Sequence, residues 1–161
     1  MAIFTPACSF TRPANTTQYA ANDLVANDTT AANVVPLAWG INSIGRSGTI
    51  RAARLYKSNK TVTAASFKLH LFADDPGDPT NGDNGAFGVA SAGSYLGGIA
   101  LDLSTAGFAG GTTGAIQRAT STILFVQPAL TSMIYGLLEV LGTYTPASGE
   151  TFTATLEIET P

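Results

Sequence analysis

The chain has 161 residues, enough for one domain with a sizeable core, and it carries 8 Lys and Arg against 11 Asp and Glu. With 45% hydrophobic and only 12% charged residues it is globular rather than disordered, and a formal net charge of −3 excludes a nucleic-acid binder, whose phosphate contacts need a positive field. The lone Cys8 excludes an internal disulfide and a thiolate zinc site, and no run approaches the roughly 18 apolar residues of a membrane helix.

The opening, MAIFTP, lacks the basic start and long apolar stretch of a signal peptide, so a soluble domain made inside the cell is expected. Residues 1–8 are apolar and read as an N-terminal arm outside the body of the domain, with residues 9–161 as a single unit. Short strands follow at Ser9–Arg12, Leu24–Ala26, Val34–Trp39 and Ile50–Tyr56, separated by Gly, Pro, Asn and Asp. Phe67–Phe72 alternates, with Phe67, Leu69 and Leu71 inward and Lys68 and His70 outward.

Residues 73–85 hold two Pro, three Gly and two Asn-Gly pairs, which predicts an exposed loop. Tyr95–Leu101 is a further strand, and Leu103–Gly114 is a second Gly-rich excursion. Ala115–Ser121 reads as a single helical turn, ahead of a strand at Ile123–Val126. Ile134–Leu141 is apolar on both sides except Glu139, which suits a central strand or one under a contact. Thr145–Gly149 reads as a tight turn into the clearest strand, Thr151–Glu159. There Phe152, Ala154, Leu156 and Ile158 share one face and Thr153, Thr155, Glu157 and Glu159 the other. Eight or nine short strands without a sustained helical stripe define an all-β chain, enough for a two-sheet antiparallel sandwich.

The inventory of reactive groups is short. His70 is the only histidine, so any Ser-His-Asp or Cys8-His site would have to use it, yet its strand pattern makes it a solvent-facing residue. No phosphate-cradling loop or dinucleotide fingerprint occurs. Asp74, Asp75, Asp78 and Asp83, with Asn81 and Asn84, offer oxygen ligands of the kind calcium uses, but without EF-hand spacing or a closing Glu, and turn preference explains them equally well. Trp39, the one tryptophan, reads as core. Asn15, Asn27 and Asn59 match the glycosylation pattern, which without a secretion signal is a coincidence of a Thr-rich chain. No catalytic residue, cofactor or metal is assigned.

Charge is uneven. Arg46, Arg51, Arg54, Lys57, Lys60 and Lys68 are six of the eight basic residues, and no acid lies between Asp28 and Asp74. This run is either a solvated rim or a basic edge that docks on an acidic protein surface. The odd spacing of Arg51 and Arg54 sets them on opposite faces of an ideal strand unless a bulge intervenes.

Residues 9–25 (SFTRPANTTQYAANDLV) resemble the opening of a family of small virion proteins of tailed bacteriophages, with Asn22 where a Gly is expected. The match continues in order through 51–56 (RAARLY), 67–72 (FKLHLF), 81–87 (NGDNGAF), 135–137 (YGL) and 144–146 (YTP), and so covers nearly the whole chain. The resemblance implies a capsid decoration, or cement, protein with a jelly-roll-like β-sandwich. It would be made in the host bacterial cytoplasm, lie on the exterior of the head and bridge major capsid protein subunits, with no enzymatic activity and no nucleic-acid or membrane partner. Self-association as a homodimer or homotrimer is expected. No motif of the family assigns contacts; from the residues themselves, the capsid or oligomer interface is expected at Met1, Ile3, Phe4, Arg46, Arg51, Arg54, Lys57 and Leu137. The alternative is a head-fibre base or tail accessory module that binds host-surface glycan.

Overall fold

A computed structural model describes residues 2–41, 47–105, 107–109, 114–126 and 132–160. The described residues form eleven strands: β1 (Ala2–Phe4), β2 (Ala7–Thr11), β3 (Leu24–Val25), β4 (Leu37–Gly40), β5 (Ser47–Lys57), β6 (Ser66–Phe72), β7 (Tyr95–Asp102), β8 (Phe108–Ala109), β9 (Ala115–Val126), β10 (Met133–Val140) and β11 (Thr151–Thr160). The only helical element among them is a 3-10 turn at Ala31–Asn33.

All pairings are antiparallel, and the strands divide into two sheets. One runs β1–β11–β5–β9–β8, with β2 beside β1 along the same edge of β11; the other runs β3–β10–β6–β7, with β4 beside β3 along β10. If β1/β2 and β3/β4 each count as one strand and β8 as an edge addition, the principal strands lie in the orders 1-8-3-6 and 2-7-4-5. Two interlocked Greek keys of this kind make a jelly roll, so the fold expected from the sequence is the fold found.

Residues alternate along β11 because one face is dry. Phe152, Ala154, Leu156 and Ile158 are buried against inward side chains of the other sheet, including Leu69, Leu101 and Val140. Trp39 is buried in this core and donates its indole N–H to the carbonyl of Ala154, 2.9 Å away, which ties β4 to β11 across the sandwich. Gly136 is required beneath it, since a Cβ there would stand 2.8 Å from the Trp39 ring.

The N-terminal arm and the helical turn expected from the sequence need correction. The predicted arm at 1–8 is largely strand: Ala2–Phe4 pairs with Ile158–Thr160, and Ala7 and Cys8 begin β2 against Thr155 and Ala154. A segment with no charge and an unpaired neighbour edge is better satisfied in the ladder than in water. Thr145–Gly149 does hold a tight turn before β11, closed by the Glu150 N–H on the Ala147 carbonyl at 3.3 Å with Gly149 at a φ of 61°, and the segment crosses from one sheet to the other. Ala115–Ser121 is not helical but forms the first half of β9.

At one end of the sandwich two ion pairs are fully buried. Arg12 Nη2 lies 3.0 Å from Asp83 Oδ2, and Lys57 Nζ lies 3.1 Å from Glu150 Oε1. Arg12 also donates to the hydroxyl of Tyr19 and to the Asn15 and Ala147 carbonyls, while Asp83 accepts from Tyr19 and from the amide of Ala26. Lys57 likewise donates to the carbonyls of Asn59 and Thr61 and to the hydroxyl of Tyr144, which donates to Glu150. The Tyr19 and Tyr144 rings stack 6.4 Å apart, and Ala147 joins the two networks through its N–H and C=O. Burial and the adjacent carboxylates push both phenol pKa values up, and burial draws the Lys57 ammonium down against the pull of Glu150. The loop at 73–85 is therefore not wholly exposed, because Asp83 pins it to the body.

Such pairs matter most when broken. Asp83→Ala strands the Arg12 guanidinium without a counter-charge and is expected to lower unfolding free energy by about 3–5 kcal/mol. Arg54→Ala, at a surface pair, should leave the urea midpoint nearly unchanged. Equal midpoints for the two variants would contradict the assignment.

Candidate interaction surface

The outward face of the six-stranded sheet is built in cross-strand rows. Near one end, Ser9, Thr153, Tyr56, Ile116 and Phe108 stand directly opposite one another across five strands. Near the other, Ile3, Glu159, Thr49 and Leu124 form a second row, with Val126 beside it. Leu124, Phe108, Val126 and Ile3 are 75%, 71%, 70% and 69% exposed, and Tyr56 and Ile116 are exposed as well. Between the two rows the surface is charged.

A bulge sets up that middle zone. Ala52 opposes Glu157 and Ile50 opposes Ile158, so Arg51 has no partner residue on β11. The inserted residue shifts the phase of the strand, and Arg51 joins Arg54 on the outward side despite their odd spacing. Both meet acids of β11. Arg51 pairs with Glu159; Arg54 Nε lies 3.6 Å from Glu157; and Arg118 of β9 grips Glu157 through Nε at 2.8 Å and Nη2 at 2.5 Å. Hydrogen bonding from Arg118 holds the Glu157 carboxyl below its ordinary range, and the Glu157 and Glu159 carboxylates raise Arg118 and Arg51. Three arginines against two glutamates leave one net positive charge on this zone. Of the basic run of the sequence, Arg51, Arg54 and Lys57 are thus met by acids from the far end of the chain.

Of the expected interface residues, Ile3, Arg51 and Arg54 reach the surface. Phe4 is half-buried and packs on the core. Lys57 and Leu137 are corrections: Lys57 is sealed in its ion pair, and Leu137 packs with Leu24, Ala26, Val34 and Phe72 in a second apolar cluster outside the five-stranded sheet. Met1 and Arg46 lie outside the described residues. Tyr56, Phe108, Ile116, Arg118, Leu124 and Val126 were not singled out from sequence. Within β9 the outward positions alternate with Gln117, Ala119, Ser121 and Ile123, a pattern of exposure without a pattern of polarity.

His70 is another correction. It is buried, and its ring lies between two partners, with Nε2 2.7 Å from Glu139 Oε2 and Nδ1 3.1 Å from the Tyr95 hydroxyl. Phe87, from the loop beyond Asp83, stacks on it at 4.3 Å and takes the place of solvent. Burial is the main cause that lowers its pKa below the ordinary 6.5, aided by Lys68 and opposed by Glu139. Both ring nitrogens are engaged, and Cys8 lies in the opposite sheet. Asp74, Asp75 and Asp78 are exposed, whereas Asp83 is committed to Arg12, Tyr19 and Ala26. Among the described residues no three His, Cys, Asp or Glu side chains are placed to hold a metal ion.

No family model, curated protein or solved structure matches this chain.

The lone histidine gives a clean acid response. Because the folded pKa is lowered, the unfolded chain takes up the proton first, so stability is full above about pH 6.5 and is lost as pH falls below it. Thermal melting between pH 7.5 and 5 should show a drop that His70→Gln flattens. An unchanged slope in the variant would mean that His70 is not held neutral.

Proposed function

We propose that this protein is a structural, non-enzymatic component of a bacteriophage virion that attaches to the outside of the head and bridges major capsid protein subunits. One observation carries the reading: the six-stranded face is broad, regular and open, with large apolar side chains exposed at both ends and an almost neutral charged zone between them. Apolar anchors within a polar surround are what a docking surface requires, and Thr and Ser along β2 and β11 supply hydrogen bonding without a large desolvation cost. The ordered likeness of the sequence to phage decoration proteins supplies the partner. A jelly roll locked by two buried ion pairs presents such a face with little motion, which limits the entropy lost on attachment. Repetition on a symmetric shell then lets modest contacts act together.

The reading needs no reactive group, in keeping with the engaged ring of His70 and its separation from Cys8. Glycan binding gains no support from Trp39, whose ring is in the core with its N–H satisfied.

Purified protein added to expanded heads that lack it should bind saturably and raise their resistance to heat. Ile116→Asp with Ile3→Asp should weaken attachment by tenfold or more without lowering the melting temperature, and moderate salt should have little effect because the arginines are already paired. Attachment that ignores both aspartates but collapses in salt would contradict the face assigned.

A further inference from the structure

The longest edge in the molecule is only partly covered. β9 pairs with β5 from Ala115 to Val126, but on its other side only Ala115 and Ile116 meet β8. From Gln117 to Val126 no strand among the described residues completes the ladder. The other edges are interrupted. Pro6 separates β1 from β2, the 3-10 turn and Pro36 separate β3 from β4, and β7 carries Gly97, Gly98 and a shift in register beside Phe72. Such breaks are the ordinary protection of exposed strands against pairing.

The open part of β9 has no Gly or Pro, and its one irregularity is a shift in register against β5 between Thr120 and Ile123. Residues 119–126 (ATSTILFV) contain no charge, Gly or Pro, and half are β-branched. Leu124 and Val126, near its end, are the most exposed aliphatic side chains of this strand.

We propose that two copies of this chain pair through these edges, antiparallel about a two-fold axis at Thr122, joining two six-stranded sheets into one. The segment fits itself. About that axis Thr122 faces Thr122, Thr120 faces Leu124, Ser121 faces Ile123, and Arg118 stands opposite Val126 with its guanidinium turned back to Glu157. Arg118, the only charge in the segment 117–126, ends eight positions from its symmetry mate, about 27 Å along the strand and well beyond a Debye length at physiological salt. An isologous contact of this kind closes at two copies and leaves no edge for further growth. The joined sheets turn their outward faces the same way, which doubles the surface described above without using it.

Sedimentation equilibrium at about 100 µM, as an interface below the standard size requires, should give the mass of a dimer. Leu124→Lys with Val126→Lys places a lysine opposite Arg118 of the other copy and should raise the dimer Kd at least tenfold, with the circular dichroism spectrum and melting temperature retained. In a Cys8→Ser background, Thr122→Cys should form a disulfide-linked dimer under mild oxidation, while Thr155→Cys on the outward face should not. A monomeric wild type, a dimer indifferent to the two lysines, or equal cross-linking at both cysteines would overturn the pairing. A monomer that still saturates heads overturns it while leaving the capsid reading intact; a dimer without affinity for heads does the reverse.

Discussion

The strict two-residue period of β11 is the constraint on which the structure rests. Flanked by β1 and β2 on one side and β5 on the other, this strand sits inside its sheet, so its register is fixed from both directions. Its even-numbered residues from Phe152 to Ile158 close the core, while Glu157 and Glu159 on the odd face collect Arg118, Arg54 and Arg51. A slip by one residue would drive both carboxylates into the core and the aromatic and aliphatic groups into water. Core and outward surface are therefore consequences of one alternation, and the bulge at Arg51 adapts β5 to it.

How much of this was legible in the sequence depended on whether polarity followed exposure. In Thr151–Glu159 it does, and strand, faces and core residues could all be read directly. In Phe67–Phe72 the alternation was equally clear, but it separates two faces without saying which is wet. His70 was assigned to solvent because nothing local reveals that Phe87, carried on a loop pinned by Asp83, folds over it. Lys57 was expected at an interface, and nothing marked Arg12 as buried, for the same reason: their partners, Glu150 and Asp83, are 93 and 71 positions away in the chain. The first half of β9 was missed because Ala, Gln, Arg, Thr and Ser alternate in exposure without alternating in hydrophobicity. The candidate surface inherits that gap, since Ile116, Arg118, Leu124 and Val126 all belong to β9.

On the proposed function, these features divide the labour. The buried ion pairs fasten the long connections, so the loops do not compete with the sheet for contacts. The Arg–Glu zone keeps the surface hydrated and nearly neutral until it is covered, and the apolar rows at either end provide the area that attachment would bury. The β9 edge adds reach rather than area: a paired molecule carries two faces at a fixed separation, and that separation selects which neighbouring subunits it can span.

The central claim is that the protein works by laying the outward face of its six-stranded sheet against other shell subunits. A density map of decorated heads tests it most directly. The account predicts density on the exterior of the head with Tyr56, Ile116 and Ile3 at the contact and with Phe87 and the five-stranded sheet turned to solvent. Density elsewhere in the virion, or a molecule seated on its five-stranded sheet, would contradict it.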